Sequence, residues 1–190
     1  MSRTLIFTGH RVDAPDRAKT RFPPRLVEAA GRAIGKAIDE LAPTDAIASA
    51  SRGGDILFLE ACRARNILTT IVLPFSPDEF ERRSVAAVEQ GDWVARFRAL
   101  IAATPPEQLI VLDLNDEPDP YGACNLAVLK RAQAASSSAP VLLALWDGKG
   151  GDGPGGSADM VERVRRAGGW AVIINPATWD RGHGTGRAAF

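Results

Sequence analysis

The chain has 190 residues, 45% of them hydrophobic and 24% charged, which is the composition of a globular protein at a length that suits one domain better than two. Its 23 basic and 23 acidic side chains cancel, so there is no global positive field to draw it onto nucleic acid. No run approaches the roughly 18 apolar residues of a membrane span, and no membrane partner is expected.

Thr4-Leu5-Ile6-Phe7-Thr8 follows a single basic residue and stops at Gly9. This suits a first strand better than a signal peptide and points to a cytoplasmic location. Gly9-His10-Arg11 then stands at that strand's carboxyl end, where open parallel sheets hold their ligands. Gly9, His10 and Arg11 are therefore candidate binding residues, with a partnerless turn histidine the competing reading for His10. Val12 to Pro24, polar and bearing Pro15, Pro23 and Pro24, is expected to be a loop that folds over the site.

From Arg25 to Leu41 apolar residues recur at helical spacing, with Pro24 at the start and Pro43 just beyond the end. Ala46 to Ala50 reads as a second strand of small residues. Ser51-Arg52-Gly53-Gly54-Asp55 is a second glycine turn, passing again from strand to helix, and its five residues join the candidate set. Asn66 to Leu73 is a third, β-branched strand. Pro77 to Gln90 reads as an outer helix with a charged face. Trp93, Phe97, Leu100 and Ile101 form a helical stripe that belongs to a core rather than to a cofactor box. Both cysteines, Cys62 and Cys124, fall in helical stretches and are expected to be buried thiols.

Gln108 to Leu114 reads as a fourth strand. The acidic run after it (Asp113, Asp116, Glu117, Asp119) lacks metal-ligand spacing and reads as a solvated loop, so no metal site is expected. A helix from Tyr121 to Ala135 carries Tyr121 and Asn125 one turn apart, able to present a ring and an amide to a base, or equally to pack and cap. Pro140 to Trp146 is a fifth strand. It leads into Trp146-Asp147-Gly148-Lys149-Gly150-Gly151-Asp152-Gly153-Pro154-Gly155-Gly156-Ser157, with six glycines and Ser157 placed to cap the next helix, Ala158 to Gly168. Exposed N–H groups at a helix N-terminus make an anion cradle, although a surface loop has the same composition. Trp170 to Ile174 is a sixth strand. The expected architecture is an α/β three-layer sandwich with a mainly parallel sheet of about six strands over 1–176, followed by a flexible tail over 177–190.

Gly9-His10-Arg11, Ser51-Arg52-Gly53-Gly54-Asp55 and Gly153-Pro154-Gly155-Gly156-Ser157 together resemble motifs of the Rossmann-like superfamily that unites the DNA-processing protein A domain with the LOG ("lonely guy") phosphoribohydrolases. The first two are similar to turns of the DNA-processing branch. The third is similar to the PGGxGTxxE segment of the LOG branch, and the resemblance runs from Thr4 to about Ile174. It implies a nucleotide or nucleotide-derived ligand, and in some members cleavage of an N-glycosidic bond. The chain departs from the hydrolase pattern where a catalytic glutamate would stand three residues after Ser157: Met160 occupies that place, and Glu162 comes two positions too late.

The leading expectation is thus a nucleotide-binding domain. Phosphate would rest on the backbone from Gly155 to Ala158 with Arg11 or Arg52, and the base near Tyr121 and Asn125, while Asp147, Gly148, Gly153 and Gly156 complete the loop's share of the site. No cofactor is required, and Mg2+ could accompany a nucleotide phosphate. The alternative is an N-glycosidic hydrolase or transferase, with Asp147 or Asp159 supplying the carboxylate. Single-stranded DNA binding is a distant third because the net charge is zero. A homodimer through apolar faces near Trp93 or Trp146 is a further expectation.

Overall fold

The computed structural model describes residues 3–86, 91–136, 138–150 and 155–181. Six strands, β1 (Thr4–Gly9), β2 (Asp45–Ala48), β3 (Leu68–Leu73), β4 (Leu109–Val111), β5 (Val141–Leu145) and β6 (Trp170–Ile174), form one sheet in the order β4-β3-β2-β1-β5-β6. Every neighbouring pair is parallel. The helices are α1 (Val27–Leu41), α2 (Gly54–Arg63), α3 (Pro77–Phe80), α4 (Trp93–Ala102), α5 (Pro120–Ala135) and α6 (Ser157–Arg166). Parallel neighbours need crossover connections, and the intervening helices supply them on both faces of the sheet. This is the expected three-layer Rossmann-like sandwich.

The two-residue period of a strand sorts β1 between the two layers. Leu5 and Phe7 point into the larger core with Ile34 of α1, Phe58 of α2 and Phe97 of α4. Ile6 points the other way, against Val128 of α5 and Val161 of α6. Phe7 stacks on Phe58 with ring centroids 4.5 Å apart. All five residues of β5 are buried, because a central parallel strand is covered on both faces, which explains its unbroken apolar run. Trp93, Phe97 and Leu100 are core residues as expected. Trp93, only 2% exposed, therefore offers no face to a second subunit. Cys62 and Cys124 are buried free thiols, and burial pushes each up to about 12.

Three elements differ from expectation. The outer helix over 77–90 is a single α turn, α3, continued by a π-helical turn over Glu81–Val85, while residues 87–90 lie outside the described residues. β4 is only three residues long, because Asp113 takes a left-handed φ of 52° that a strand cannot continue through. The expected tail begins as ordered chain, a 3-10 helix over Pro176–Arg181 whose Trp179 packs against the larger core. Residues 182–190 lie outside the described residues. Among the described residues no helix is long and apolar enough to cross a membrane.

Candidate functional site

The chain winds outward from β1 through β2 and β3 to β4, then crosses back to place β5 on the other side of β1. In a sheet of this kind the loops leaving β1 and β5 diverge to opposite faces, and the crevice between them is the usual ligand position. A cavity of about 340 Å³ lies there. Its floor is the end of β1 (Thr8, Gly9, His10, Arg11), and one wall comes from the turn after β2 (Ser49, Ser51, Asp55). Tyr121, Cys124 and Asn125 of α5 face it from the other layer, together with Gly155, Gly156, Ser157 and Met160 around the start of α6. The three motifs therefore meet in one place.

Missing side chains make that meeting sterically feasible. A Cβ on Gly53, which has φ +96°, would sit 2.7 Å from Val12 N, and one on Gly54 would sit 2.9 Å from Gly9 Cα. Neither glycine lines the cavity; they let α2 begin directly against the end of β1, where Arg11 and Gly53 form an antiparallel bridge. Gly155, at φ +74°, has the same function on the other side, since its Cβ would lie 2.4 Å from Gly122 N at the start of α5. Asn125 fixes this junction by donating to Gly155 O and to Asp159 Oδ2, both at 2.9 Å.

Ser157 is the first residue of α6 rather than its cap. Gly156 takes the cap position and no described side chain caps the helix. The first intrahelical bond runs from Met160 N to Gly156 O at 3.2 Å, so the preceding N–H groups of the first turn have no acceptor within the helix. The Ser157 hydroxyl lies 3.4 Å from Thr8 Oγ1. Gly148 is exposed, with φ +79°, and stands apart from the cavity. Gly153 lies outside the described residues.

The arginines divide between two tasks. Arg11 lines the cavity with an exposed side chain. Arg52, expected beside it, is 7% exposed and turns away: its Nε donates to Val12 O at 3.2 Å and its Nη1 to Ser84 O at 3.4 Å. Burial lowers its pKa to about 10, with the nearby charges of Arg11 and Arg17 adding to the effect, and it remains a cation at neutral pH. Arg17 and Arg21 also line the cavity. They come from the loop expected to fold over the site, and no glycine or motif marks them in the sequence. Buried Asp13 organises that loop, since its Oδ2 accepts the N–H groups of Arg21 and Phe22 at 2.8 Å. Its Oδ1 lies 3.2 Å from Arg17 Nε without hydrogen-bond alignment. Arg21 Nη2 reaches Gly150 O at 2.6 Å, tying the loop to the glycine-rich segment after β5.

Two acids flank the floor in different states. Asp55 Oδ2 accepts from Ser51 N at 3.1 Å and from Ser51 Oγ at 2.7 Å. Burial nevertheless raises its carboxyl to about 6, against those bonds, the charge of Arg11 and the Gly9 N–H. Burial also pushes Asp147 up, but the Lys149 N–H, His10 and Arg21 outweigh it and hold this carboxyl below its ordinary value. His10 Nε2 is 3.0 Å from Asp147 N and 3.1 Å from Asp147 Oδ1. Burial lowers the His10 pKa in spite of Asp147. The ring is accordingly neutral at pH 7, and its Nε2 accepts the Asp147 N–H rather than forming an ion pair with the carboxylate. His10 thus has a partner and pins the end of β1 to the loop after β5.

Neither carboxylate expected to act in hydrolysis faces the cavity. Asp147 stands behind His10, and Asp159 is held by Arg163 Nε at 2.8 Å and by Asn125. Tyr121 does face it, with its hydroxyl 2.9 Å from Ser84 Oγ and its ring edge-on to Phe75. Asp119 caps α5 by accepting from Gly122 N at 2.9 Å. Among the described residues no group of three His, Cys, Asp or Glu side chains could hold a metal ion. No protein-family model matches the chain, and no curated protein matches it.

Proposed function

We propose that the cavity binds a nucleotide or nucleotide-derived signal, with phosphate on the first turn of α6. The observation that carries this reading is the uncapped N-terminus of α6 opening onto a cavity lined by Arg11, Arg17 and Arg21. Free N–H groups, the positive end of a helix dipole and guanidinium groups are what a phosphate needs, and a helix start without its own side-chain cap leaves those N–H groups to a ligand or water. The ring of Tyr121 provides an aromatic wall for a base. Mg2+ could accompany the phosphate, and the resemblance to the Rossmann-like nucleotide-binding superfamily supports the same assignment.

Binding without hydrolysis is favoured because Asp147 and Asp159 are engaged elsewhere and Met160 occupies the place of a catalytic glutamate. A thermal-shift screen of mononucleotides, cyclic nucleotides and ADP-ribose-type ligands tests the proposal. A concentration-dependent rise in Tm with at least one of them is expected. No shift at millimolar ligand with folded protein would refute it.

A further inference from the structure

The two faces of the sheet are unequally covered. Helices α1, α2 and α4 bury side chains in the larger core on one face, whereas among the described residues only α5 and α6 do so on the other. α6 lies over β5, β6 and β1, α5 lies over β1, β2 and β3, and neither packs closely on the edge strand β4. A parallel strand is ordinarily covered on both faces. Here Ile110, with Leu112 and Leu114 beyond it, meets the smaller core only at its rim, and all three are partly exposed. Leu112 N and Leu114 N still donate to Leu73 O and Pro74 O, at 3.0 and 2.7 Å, so this apolar rim stays attached to the end of β3.

The flank of α5 beside the rim is also short of cover. Cys124 Sγ reaches Val72 O of β3, while Asn125 turns to Gly155 and Asp159 on the α6 side. At about 100° per residue, those two directions send Ala123 and Ala127 away from α6 and toward β4, with Leu126, 37% exposed, beside them on the solvent side. Alanines at this spacing allow a second helix to come close. Charge is divided along the same flank. The loop at the amino end of α5 holds Asp113, Asp116 and Glu117, and the last turns of the helix hold Lys130 and Arg131. All five are exposed, and none has an ion-pair partner among the described residues.

A pattern that is acidic at one end, apolar in the middle and basic at the other is complementary to its own reversed copy. An isologous interface needs that property, since one patch must serve on both subunits. An occupant of single charge would meet like charge at one end, and a purely apolar one would leave both ends unpaired. We propose that the α5–β4 face is the interface of a two-fold homodimer, with α5 of one copy antiparallel to α5 of the other. Leu126 and the alanines lie at its centre, and the acidic loop of each chain lies against Lys130 and Arg131 of its partner. Each copy then covers the open rim of the other's smaller core.

Sedimentation velocity on the full chain, from about 1 to about 200 µM, tests this. Wild type should show a monomer–dimer equilibrium that weakens as salt is raised. Lys130→Glu with Arg131→Glu in one variant, and Asp116→Lys with Glu117→Lys in another, place like charges across the axis and should each weaken dimerisation about 10-fold or more. All four positions are exposed, so both variants should fold. An equimolar mixture of the two restores opposite charges at both ends and should associate within about 3-fold of wild type. A monomer throughout the range, a dimer unaffected by either reversal, or weakened variants that fail to recover on mixing would each overturn the proposal.

Discussion

Asp55→Asn is the substitution that probes the site's electrostatics most sharply, because its effect on stability should be favourable. The carboxyl has an ordinary value of 3.8 and stands at about 6 in the folded chain. A raised acid pKa means that ionisation opposes folding: the penalty is complete above about 6, shrinks as pH falls through the interval down to 3.8, and is absent below it. Over that interval, at about 1.4 kcal/mol for each tenfold change in proton concentration, the penalty amounts to about 3 kcal/mol at pH 8 and roughly half that at pH 5. The bonds from Ser51 and Gly9 are already included in that balance. Asparagine reproduces the neutral acid in shape, with one acceptor oxygen for Ser51. Urea unfolding of both proteins at pH 8 and pH 5 should show the variant more stable at both, with the margin roughly halved at pH 5. His10 titrates in both chains and cancels from the comparison. A variant less stable than wild type at pH 8, or a margin independent of pH, would refute the reasoning.

The two arginines of the motif turns should separate cleanly. Arg52→Met removes a buried guanidinium that holds Val12 O and Ser84 O and should cost about 2–4 kcal/mol in urea unfolding, while phosphate affinity in the folded variant stays near wild type. Arg11→Met alters an exposed side chain on the cavity and should change stability by less than about 0.5 kcal/mol while weakening phosphate roughly 10-fold in calorimetry.

Much of the fold was legible in the sequence because its signals are local. The β-branched and apolar runs of β1, β3 and β5 mark buried strands, that of β6 an edge strand with Val172 buried, and the positions of Leu26, Ile34, Ile38 and Leu41 mark the buried side of the first helical region. β4 was overextended because the apolar alternation of Gln108 to Leu114 continues past Val111. The left-handed turn at Asp113 is conformational and leaves only a weak trace in residue type. The π-helical turn after α3 was equally hidden, since its charged face has ordinary helical spacing. At the site, Gly9, Arg11, Ser51 and Ser157, singled out by strand-end position, line the cavity. It could not tell Arg11 from Arg52, two neighbours of the same charge whose directions depend on which carbonyls the tertiary fold brings within reach. Arg17 and Arg21 were missed for a related reason. A polar loop contains many charges, and only the folding of residues 11–22 around Asp13 carries these two over the cavity.

The central claim is that phosphate sits on the start of α6, and backbone amide chemical shifts read that contact directly. In a titration of the isotopically labelled chain with inorganic phosphate and then with mononucleotides, the amides of Gly156, Ser157 and Ala158 should move most and saturate together, with the Arg11 side-chain resonance following them. Saturable shifts confined to other regions, or no shift at these three amides when binding is detected by calorimetry, would contradict the account.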